Sequence, residues 1–320
     1  MMIIPFFIEI FFVSVLTLAA DWTGAQDYPG KPIRIISSEP GGGSDISARM
    51  IAQGATPALG QQLIVENRAG IIAVETVAKA APDGYTLLLY GSVIWIEPLM
   101  RANVPWDALR DFAPITPATR SPNMVVIHPS LSVQSVKELI GLATSRPGDL
   151  NYGSAGSGAT SHLAAELFRS MTGTNIVRVA YRGNGPAMSD LIGGQLQLMF
   201  PTVGEITPHL KSGRVRALAV TTAQPSPLAP GVPTVAESGL PGYESASILG
   251  VLAPAKTPAT IVNRLNQEFV QVLNRPDAKS KFFNIGLETV GSSPEQFIAT
   301  IKAETAKWGK VIRDAGIRKD

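Results

Sequence analysis

The pattern of apolar and polar positions changes its period at a glycine-rich turn near the start of the chain. Residues 33–36 are a β-branched run that predicts a buried strand. The Pro-Gly-Gly-Gly segment at 40–43 ends that strand with a turn that needs no Cβ. Ser44 stands where a helix N-cap is expected, and residues 46–51 begin an apolar helix face. The stretch therefore predicts a strand, a glycine turn and a helix.

The same pattern returns in the second half of the chain. Residues 151–152 end a predicted strand, Gly-Ser-Ala-Gly-Ser-Gly at 153–158 forms a turn, and residues 160–171 predict a helix. Each turn places unpaired backbone N–H groups at the positive end of a helix, where an anion is favoured. A single turn of this kind is equally compatible with a plain βα connection without a ligand. Two such turns favour an anion site.

Alternating strands and helices are predicted for the rest of the chain, and the Pro-rich segment 103–120 is predicted to be irregular. The predicted strands are 61–67, 85–90, 123–128, 176–181, 196–200, 216–221 and 247–253, and the further helices are 72–80, 135–145, 187–192, 258–274 and 294–315. This order predicts two α/β domains joined by two crossings. Lobe 1, which is discontinuous, takes residues 26–121 and 245–320, and lobe 2 takes residues 122–244.

The first 20 residues are almost entirely apolar and predict the hydrophobic region of a signal peptide, with cleavage after Ala25 or Ala20. Two features depart from that pattern, because no Lys or Arg precedes the apolar run and Glu9 interrupts it. A retained membrane anchor is the alternative, and Glu9 would be costly in lipid. We therefore predict a signal peptide over residues 1–25 and a periplasmic protein.

Composition narrows the function further. The 320 residues are 45% hydrophobic and only 16% charged, with a net charge of +2, which excludes a disordered chain and gives no sign of a nucleic-acid partner. There is no cysteine, so disulfides and cysteine-ligated metals are excluded. The three histidines, His128, His162 and His209, lack the spacing of metal ligands. We predict neither a metal nor a cofactor.

Neither glycine turn matches a nucleotide-binding or hydrolase motif. A P-loop needs Gly-Lys-Ser/Thr, the dinucleotide fingerprint lacks its third glycine, and no Gly-x-Ser-x-Gly elbow is present. Two neutral anion cradles remain, suited to carboxylates. A hydrolase that uses Ser157 and His162 is the enzymatic alternative.

Four charged side chains are further candidates. Asp45 is either an acid that complements the helix dipole or a partner for a ligand ammonium group. Arg68, Arg178 and Arg182 are candidate carboxylate forks.

An ordered series of motifs resembles the Bug receptors, the periplasmic solute-binding components of tripartite tricarboxylate transporters, over residues 28–318. The matching segments are Tyr28-Pro-Gly-Lys-Pro-Ile33, Pro40-Gly-Gly-Gly-Ser-Asp45, Val65-Glu-Asn-Arg68, Val77-Ala-Lys-Ala-Ala-Pro-Asp-Gly-Tyr-Thr-Leu87, Arg110-Asp-Phe-Ala-Pro-Ile115, Asn151-Tyr-Gly-Ser-Ala-Gly-Ser-Gly158, Ser161-His-Leu-Ala-Ala-Glu-Leu-Phe168, Tyr181-Arg-Gly, Gly185-Pro-Ala187, Val232-Pro-Thr-Val-Ala-Glu-Ser-Gly-Leu-Pro-Gly242 and Pro254-Ala-Lys-Thr-Pro258. Each segment alone is weak, and the ordered series is specific.

The resemblance implies a two-lobed α/β fold of the periplasmic-binding-protein type, a type II Venus flytrap that closes on a small carboxylate without catalysis. It implies a di- or tricarboxylate, amino acid or aromatic acid as solute, permease subunits as partners and a monomeric receptor. A ligand sensor or orphan receptor is the alternative. The implied ligand-binding residues are Ser38, Gly41, Gly42, Gly43, Asp45, Ser92, Ser154, Ala155, Ser157, Thr160, Tyr181 and Pro201.

Several positions depart from the family pattern. Ser38 replaces a frequent aromatic residue, Glu97 a frequent Asn, Pro201 a frequent Asp, and Ile248 a frequent Trp. Residues 69–75 are shorter than the usual Gly/Asn-rich segment. The loss of an Asp at position 201 and of the polar Gly/Asn segment would remove hydrogen-bonding groups from the expected cleft wall, so the departures put the identity of the solute in doubt rather than the fold.

Overall fold

The computed structural model describes residues 28–38, 40–68 and 70–318, and the predicted signal peptide lies outside them. The strands are β1 (Ile33–Ser37), β2 (Leu63–Asn67), β3 (Thr86–Gly91), β4 (Phe112–Pro122), β5 (Met124–Ile127), β6 (Asn151–Ser154), β7 (Val177–Ala180), β8 (Leu198–Met199), β9 (Arg216–Val220), β10 (Ala246–Pro254) and β11 (Glu288–Thr289). The helices are α1 (Gly43–Leu59), α2 (Gly70–Ala78), α3 (Val93–Met100), α4 (Val136–Ser145), α5 (Thr160–Thr172), α6 (Asn184–Ile192), α7 (Val203–Lys211), α8 (Ala259–Asn274), α9 (Pro276–Asn284) and α10 (Pro294–Asp314).

These strands form two sheets. The first has the order β11-β4-β10-β3-β1-β2, in which β1 is parallel to β2 and β3 and β10 is antiparallel to both β3 and β4. The second has the order β7-β6-β8-β5-β9, in which β6 is parallel to β7 and β8. The carboxyl ends of β1, β2 and β3 therefore share one edge, and those of β6, β7 and β8 share another. Ligand sites of open α/β sheets lie at such edges.

The two edges are adjacent because the chain crosses between the sheets there. Only Asn123 separates the end of β4 from the start of β5, and the return to β10 passes Ser245. Thr221 joins the two crossings: its Oγ1 accepts the N–H of Asn123 at 2.8 Å and donates to the Ser245 carbonyl at 2.6 Å. The two crossings therefore meet at a buried cluster of Asn123, Thr221 and Ser245, which we call the hinge cluster.

Segment 103–120 was predicted to be irregular, and this prediction is wrong, because β4 runs through its second half. The pairing of β4 with β10 shifts register twice, once next to Pro114 and once next to Pro117. Proline cannot donate to a ladder and is tolerated in a sheet at such bulges. The predicted Ser44 cap is also wrong, since α1 begins at Gly43 with Gly42 as its N-cap.

Further differences concern short elements. Residues 151–152 begin β6 rather than end a strand, because the backbone stays extended through Ser154. The helices α3 and α7 lie where no helix was predicted, and each contains a proline, Pro98 or Pro208. Proline normally ends a helix pattern in a sequence, which explains both omissions.

One apolar cluster connects the elements around the two sheets. It includes α2, α3 and α10 on one side and α4 and α5 on the other. Trp95 of α3 makes an edge-to-face contact with Phe297 of α10 at 6.1 Å between ring centroids, and α10 also packs against α5. Among the described residues no helix is both long and apolar enough to cross a membrane.

Candidate ligand-binding cleft

Loop 1, which joins β1 to α1, is held by one buried carboxylate. Asp45, which is only 4% exposed, accepts the Gly41 N–H at Oδ2 (2.9 Å). Its Oδ1 accepts a hydrogen bond from Asn67 Nδ2 at 2.8 Å and pairs with Arg49 Nε at 2.9 Å. Asn67 Nδ2 also reaches the carbonyl of Ser38 at 2.6 Å, which ties the end of β2 to this loop.

Those contacts bear on the two roles predicted for Asp45. Burial alone would raise the pKa of Asp45, but hydrogen bonds from Arg49, Gly41 and Asn67 outweigh burial and hold the pKa below its usual range. Both carboxylate oxygens are thus occupied by donors of the protein. This arrangement favours the structural role, in which Asp45 fixes loop 1, over direct binding of a ligand ammonium group.

Gly41, Gly42 and Gly43 leave the tip of loop 1 open. Gly41 has a φ of +79°, a conformation that favours glycine, and a Cβ placed there would meet nothing within 4 Å. All three glycines are exposed. The backbone of the turn is therefore accessible at the start of α1, where the helix dipole favours an anion.

Loop 2, which joins β6 to α5 over residues 155–159, is organised by Arg178 of β7. Arg178 donates from Nε to Ser154 Oγ at 2.9 Å, from Nη1 to Ser157 Oγ at 3.3 Å and from Nη2 to the Ala155 carbonyl at 2.9 Å. Of the three arginines predicted as carboxylate forks, only Arg178 reaches a glycine turn. Arg68 pairs with Glu66 at 3.6 Å, and Arg182 is exposed after β7.

A second set of buried groups supports the far end of loop 2. Gly158, with a φ of +80°, donates its N–H to Nδ1 of His162 at 3.2 Å. Nε2 of His162 lies 3.8 Å from Glu166 Oε1, which also accepts from the Tyr152 hydroxyl and from Arg169 Nη1 at 2.9 Å.

These surroundings keep His162 neutral. Burial lowers the pKa of His162 to about 4, aided by the positive charges of Arg178 and Arg169 and opposed by Glu166. Burial, together with the hydrogen bond to Glu166, raises the pKa of Tyr152. Because His162 Nδ1 accepts a hydrogen bond, the neutral ring carries its proton on Nε2, facing Glu166.

The proposed hydrolase dyad is not formed. Ser157 Oγ is engaged by Arg178, and His162 Nδ1 is engaged by the N–H of Gly158. Among the described residues, no group of three or more His, Cys, Asp or Glu side chains is arranged to hold a metal ion.

The remaining predicted site residues lie at the same two sheet edges. Ser92 is buried directly after β3, Thr160 begins α5, and Pro201 is buried two residues after β8, where its carbonyl accepts the Met124 N–H at 2.8 Å. Tyr181 follows β7 and donates its hydroxyl to Asp190 Oδ2 at 2.6 Å. Burial and this bond raise the pKa of Tyr181 to about 12.

Sequence reasoning missed the polar groups that brace loop 2 from α6 and α7. Ser161 Oγ donates to Asn184 Oδ1 at 2.8 Å, and the N–H of Ala155 points to both atoms at 3.3 Å. Asn184 Nδ2 then donates to Glu205 Oε1 at 3.0 Å, and Glu205 forms a capping box with Thr202 at the start of α7. The Thr-x-x-Glu spacing of that box was the available local signal.

Comparison with known proteins identifies the family. Residues 47–317 match the model of the tripartite tricarboxylate transporter family receptor. The chain is also 33% identical over 313 residues to the protein BugT of Bordetella pertussis, covering 96% of each chain. The chain belongs to this receptor family. The predicted resemblance and the predicted role as a solute-binding receptor are thereby confirmed, and the family is one of receptors rather than enzymes.

Solved structures agree with this assignment. An R. palustris protein with adipate is 38% identical, with a TM-score of 0.78 over 91% of this chain and 99% of that one. MatC from Rhodopseudomonas palustris with bound malate is 26% identical, with a TM-score of 0.72 over 89% of this chain and 100% of that one. The predicted two-lobed α/β periplasmic-binding-protein fold is confirmed.

Proposed function

We propose that this receptor captures a small carboxylate between loop 1 and loop 2 in the periplasm and delivers it to the permease subunits of a tripartite transporter. The observation that carries the proposal is the pair of glycine turns at adjacent carboxyl edges. Each turn precedes a helix N-terminus, and each is fixed by a charged side chain of the protein, the buried Asp45 in one case and the half-buried Arg178 in the other. Similar proteins are described with adipate and with malate.

In this receptor, we propose, lobe 1 comprises residues 26–121 and 245–320 and lobe 2 comprises residues 122–244, with a signal peptide over residues 1–25. The hinge cluster of Asn123, Thr221 and Ser245 supports these boundaries, because both crossings meet there. Burial of the solute between the two lobes of a monomeric receptor would then create the closed surface that the permease recognises.

The surroundings of the turns support a carboxylate with an apolar body. The helix α2 begins at Gly70, three residues after the end of β2, and carries Ile71 and Ile72, of which Ile72 is 59% exposed. Pro201, at the other edge, offers no side-chain donor. We expect aliphatic dicarboxylates to bind more tightly than their hydroxylated analogues, because a solute hydroxyl would find few partners at these positions.

A thermal-shift screen of the chain from Gln26 tests the proposal. The ligands are mono-, di- and tricarboxylates of three to eight carbons, with amino acids and aromatic acids alongside. A ligand at 100 times its Kd stabilises the folded state by about 2.7 kcal/mol, which is visible as a raised Tm. Calorimetric titration of each hit then gives its Kd.

A raised Tm with a carboxylate and none with its neutral amide is the expected result. A well-folded protein that responds to no carboxylate would contradict the proposal and favour an orphan receptor or a sensor of another ligand.

A further inference from the structure

The guanidinium of Arg178 donates its hydrogen bonds to atoms of the protein itself. It lies on β7, whose parallel register places it beside Tyr152 of β6. From there it bonds Ser154, Ala155 and Ser157, as described above, through Nε, Nη2 and Nη1 respectively. All three guanidinium nitrogens therefore make contacts within one short segment.

This use of the guanidinium argues against direct solute binding through its fork. An arginine binds a carboxylate most strongly with two parallel N–H donors, and the Nε–Nη2 edge is one such pair. Here that edge is occupied by Ser154 Oγ and the Ala155 carbonyl. The effect of Arg178 on a solute must pass mainly through the groups it holds.

The two serine hydroxyls are oriented by this contact. A hydroxyl has one hydrogen and two lone pairs, whereas a guanidinium only donates. Each N–H from Arg178 therefore occupies a lone pair and turns the hydroxyl hydrogen elsewhere. The hydrogen of Ser154 goes to the Ala155 carbonyl at 3.1 Å. The hydroxyl hydrogen of Ser157 has no acceptor among the described residues, and the positive charge behind it strengthens it as a donor.

We propose that Arg178 is a positioning residue that fixes the Ser157 hydroxyl as a donor toward the solute, so that loop 2 selects a carboxylate oxygen over an amide or ammonium group. The inference rests on the proposed function, because it concerns the same cleft. An amide NH2 or an ammonium group brings its own hydrogens to the Ser157 hydroxyl, where Arg178 already occupies one of the two lone pairs and its positive charge repels an ammonium group. A carboxylate oxygen meets a hydrogen that is already directed at it.

A double-mutant cycle tests this coupling. Arg178→Met, Ser157→Ala and the combined variant are titrated calorimetrically with the tightest binder among linear dicarboxylates of three to eight carbons. We expect Arg178→Met to weaken binding by about 10- to 100-fold in the wild-type background. In the Ser157→Ala background the same change should cost about threefold or less, because its target hydroxyl is gone. Equal losses in the two backgrounds would overturn the inference.

Two further variants separate positioning from charge. Arg178→Lys keeps the charge and loses the planar fork, so we expect it to bind the dicarboxylate as weakly as Arg178→Met does. An affinity equal to that of the wild type would overturn the inference. Arg214→Gln removes an exposed arginine elsewhere in the second half of the chain and should leave the Kd unchanged. If Arg178→Met fails to fold by circular dichroism, Arg178→Gln replaces it in the cycle.

Selectivity gives the last readout. The ratio of Kd values for the monoamide and the dicarboxylate should be large for the wild type and fall severalfold in Arg178→Met and in Ser157→Ala. An unchanged ratio in Arg178→Met overturns the inference, while tight carboxylate binding by the wild type still upholds the proposed function. A wild-type protein that binds no dicarboxylate overturns both.

Discussion

Met100 at the end of α3 packs directly against Gly158 of loop 2. A Cβ built on Gly158 would lie 2.3 Å from Met100 Cε and 2.8 Å from its Sδ. The contact joins α3, which follows β3 of the first sheet, to loop 2, which follows β6 of the second sheet. Gly158 is thus required both for its left-handed backbone and for the space it leaves.

Replacing Gly158 by Ala should therefore disturb loop 2 specifically. The positive φ and the overlap with Met100 both oppose a Cβ, so we expect a loss of about 1–3 kcal/mol in the free energy of unfolding and weaker solute binding. Urea unfolding and calorimetric titration measure the two effects.

Gly156→Ala is the matched control in the same loop. Its φ is not positive, and a Cβ there meets nothing within 4 Å. Similar losses in the two variants would show that loop 2 tolerates no side chain at either position and would remove Met100 from the explanation.

The hydroxyls of loop 2 should contribute to affinity more than to stability. We expect the double variant Ser157→Ala with Thr160→Ala to weaken carboxylate binding by about 1–3 kcal/mol, since a desolvated carboxylate would lose charge-assisted hydrogen bonds. Thr144→Ala with Ser145→Ala is the matched control, because these exposed hydroxyls only donate to carbonyls within α4. Unchanged affinity in the loop variant would contradict the site assignment.

Local sequence signals were sufficient for the two glycine turns. A β-branched run, a glycine cluster and a helical periodicity are all encoded within about 20 residues, so the strand, turn and helix around Gly41 were predictable. The strand β4 was not, because its prolines lie at register shifts that exist only once β10 pairs with it.

The networks behind the turns also depend on long-range pairing. Asp45 meets Asn67 because β1 and β2 are parallel with Ser37 opposite Asn67, and Arg178 reaches loop 2 because β7 pairs with β6. Nothing local in the sequence reports such a register. The sequence therefore identified Arg178 as one candidate among three arginines and could not rank it first.

Acid should destabilise the fold through His162. Its pKa is about 4 in the folded protein and about 6.5 in a free side chain. Below pH 6.5 the unfolded chain binds a proton that the folded protein does not, so the free energy of unfolding falls as the pH falls from about 6.5 to about 4. This loss of stability is at most about 3 kcal/mol and is absent above this window.

The variant His162→Gln isolates this effect, since a Gln oxygen can still accept the N–H of Gly158 and does not titrate. Urea unfolding at pH 4.5 to 7.5 should show a flatter pH dependence for His162→Gln than for the wild type. If His162→Gln keeps the wild-type slope, another group accounts for the acid sensitivity.

The last prediction concerns the hinge cluster. Thr221 is fully buried, and its hydroxyl accepts the N–H of Asn123 in one crossing and donates to the carbonyl of Ser245 in the other. Thr221→Val keeps the shape but leaves a buried N–H and a buried carbonyl without this partner, so we expect a loss of about 1–3 kcal/mol by urea unfolding. Thr207→Val is the control, because its hydroxyl only donates back to the Val203 carbonyl within α7. Since the two crossings are the covalent links between the sheets, a loss in Thr221→Val no larger than in Thr207→Val would show that they hold together without the Thr221 bridge.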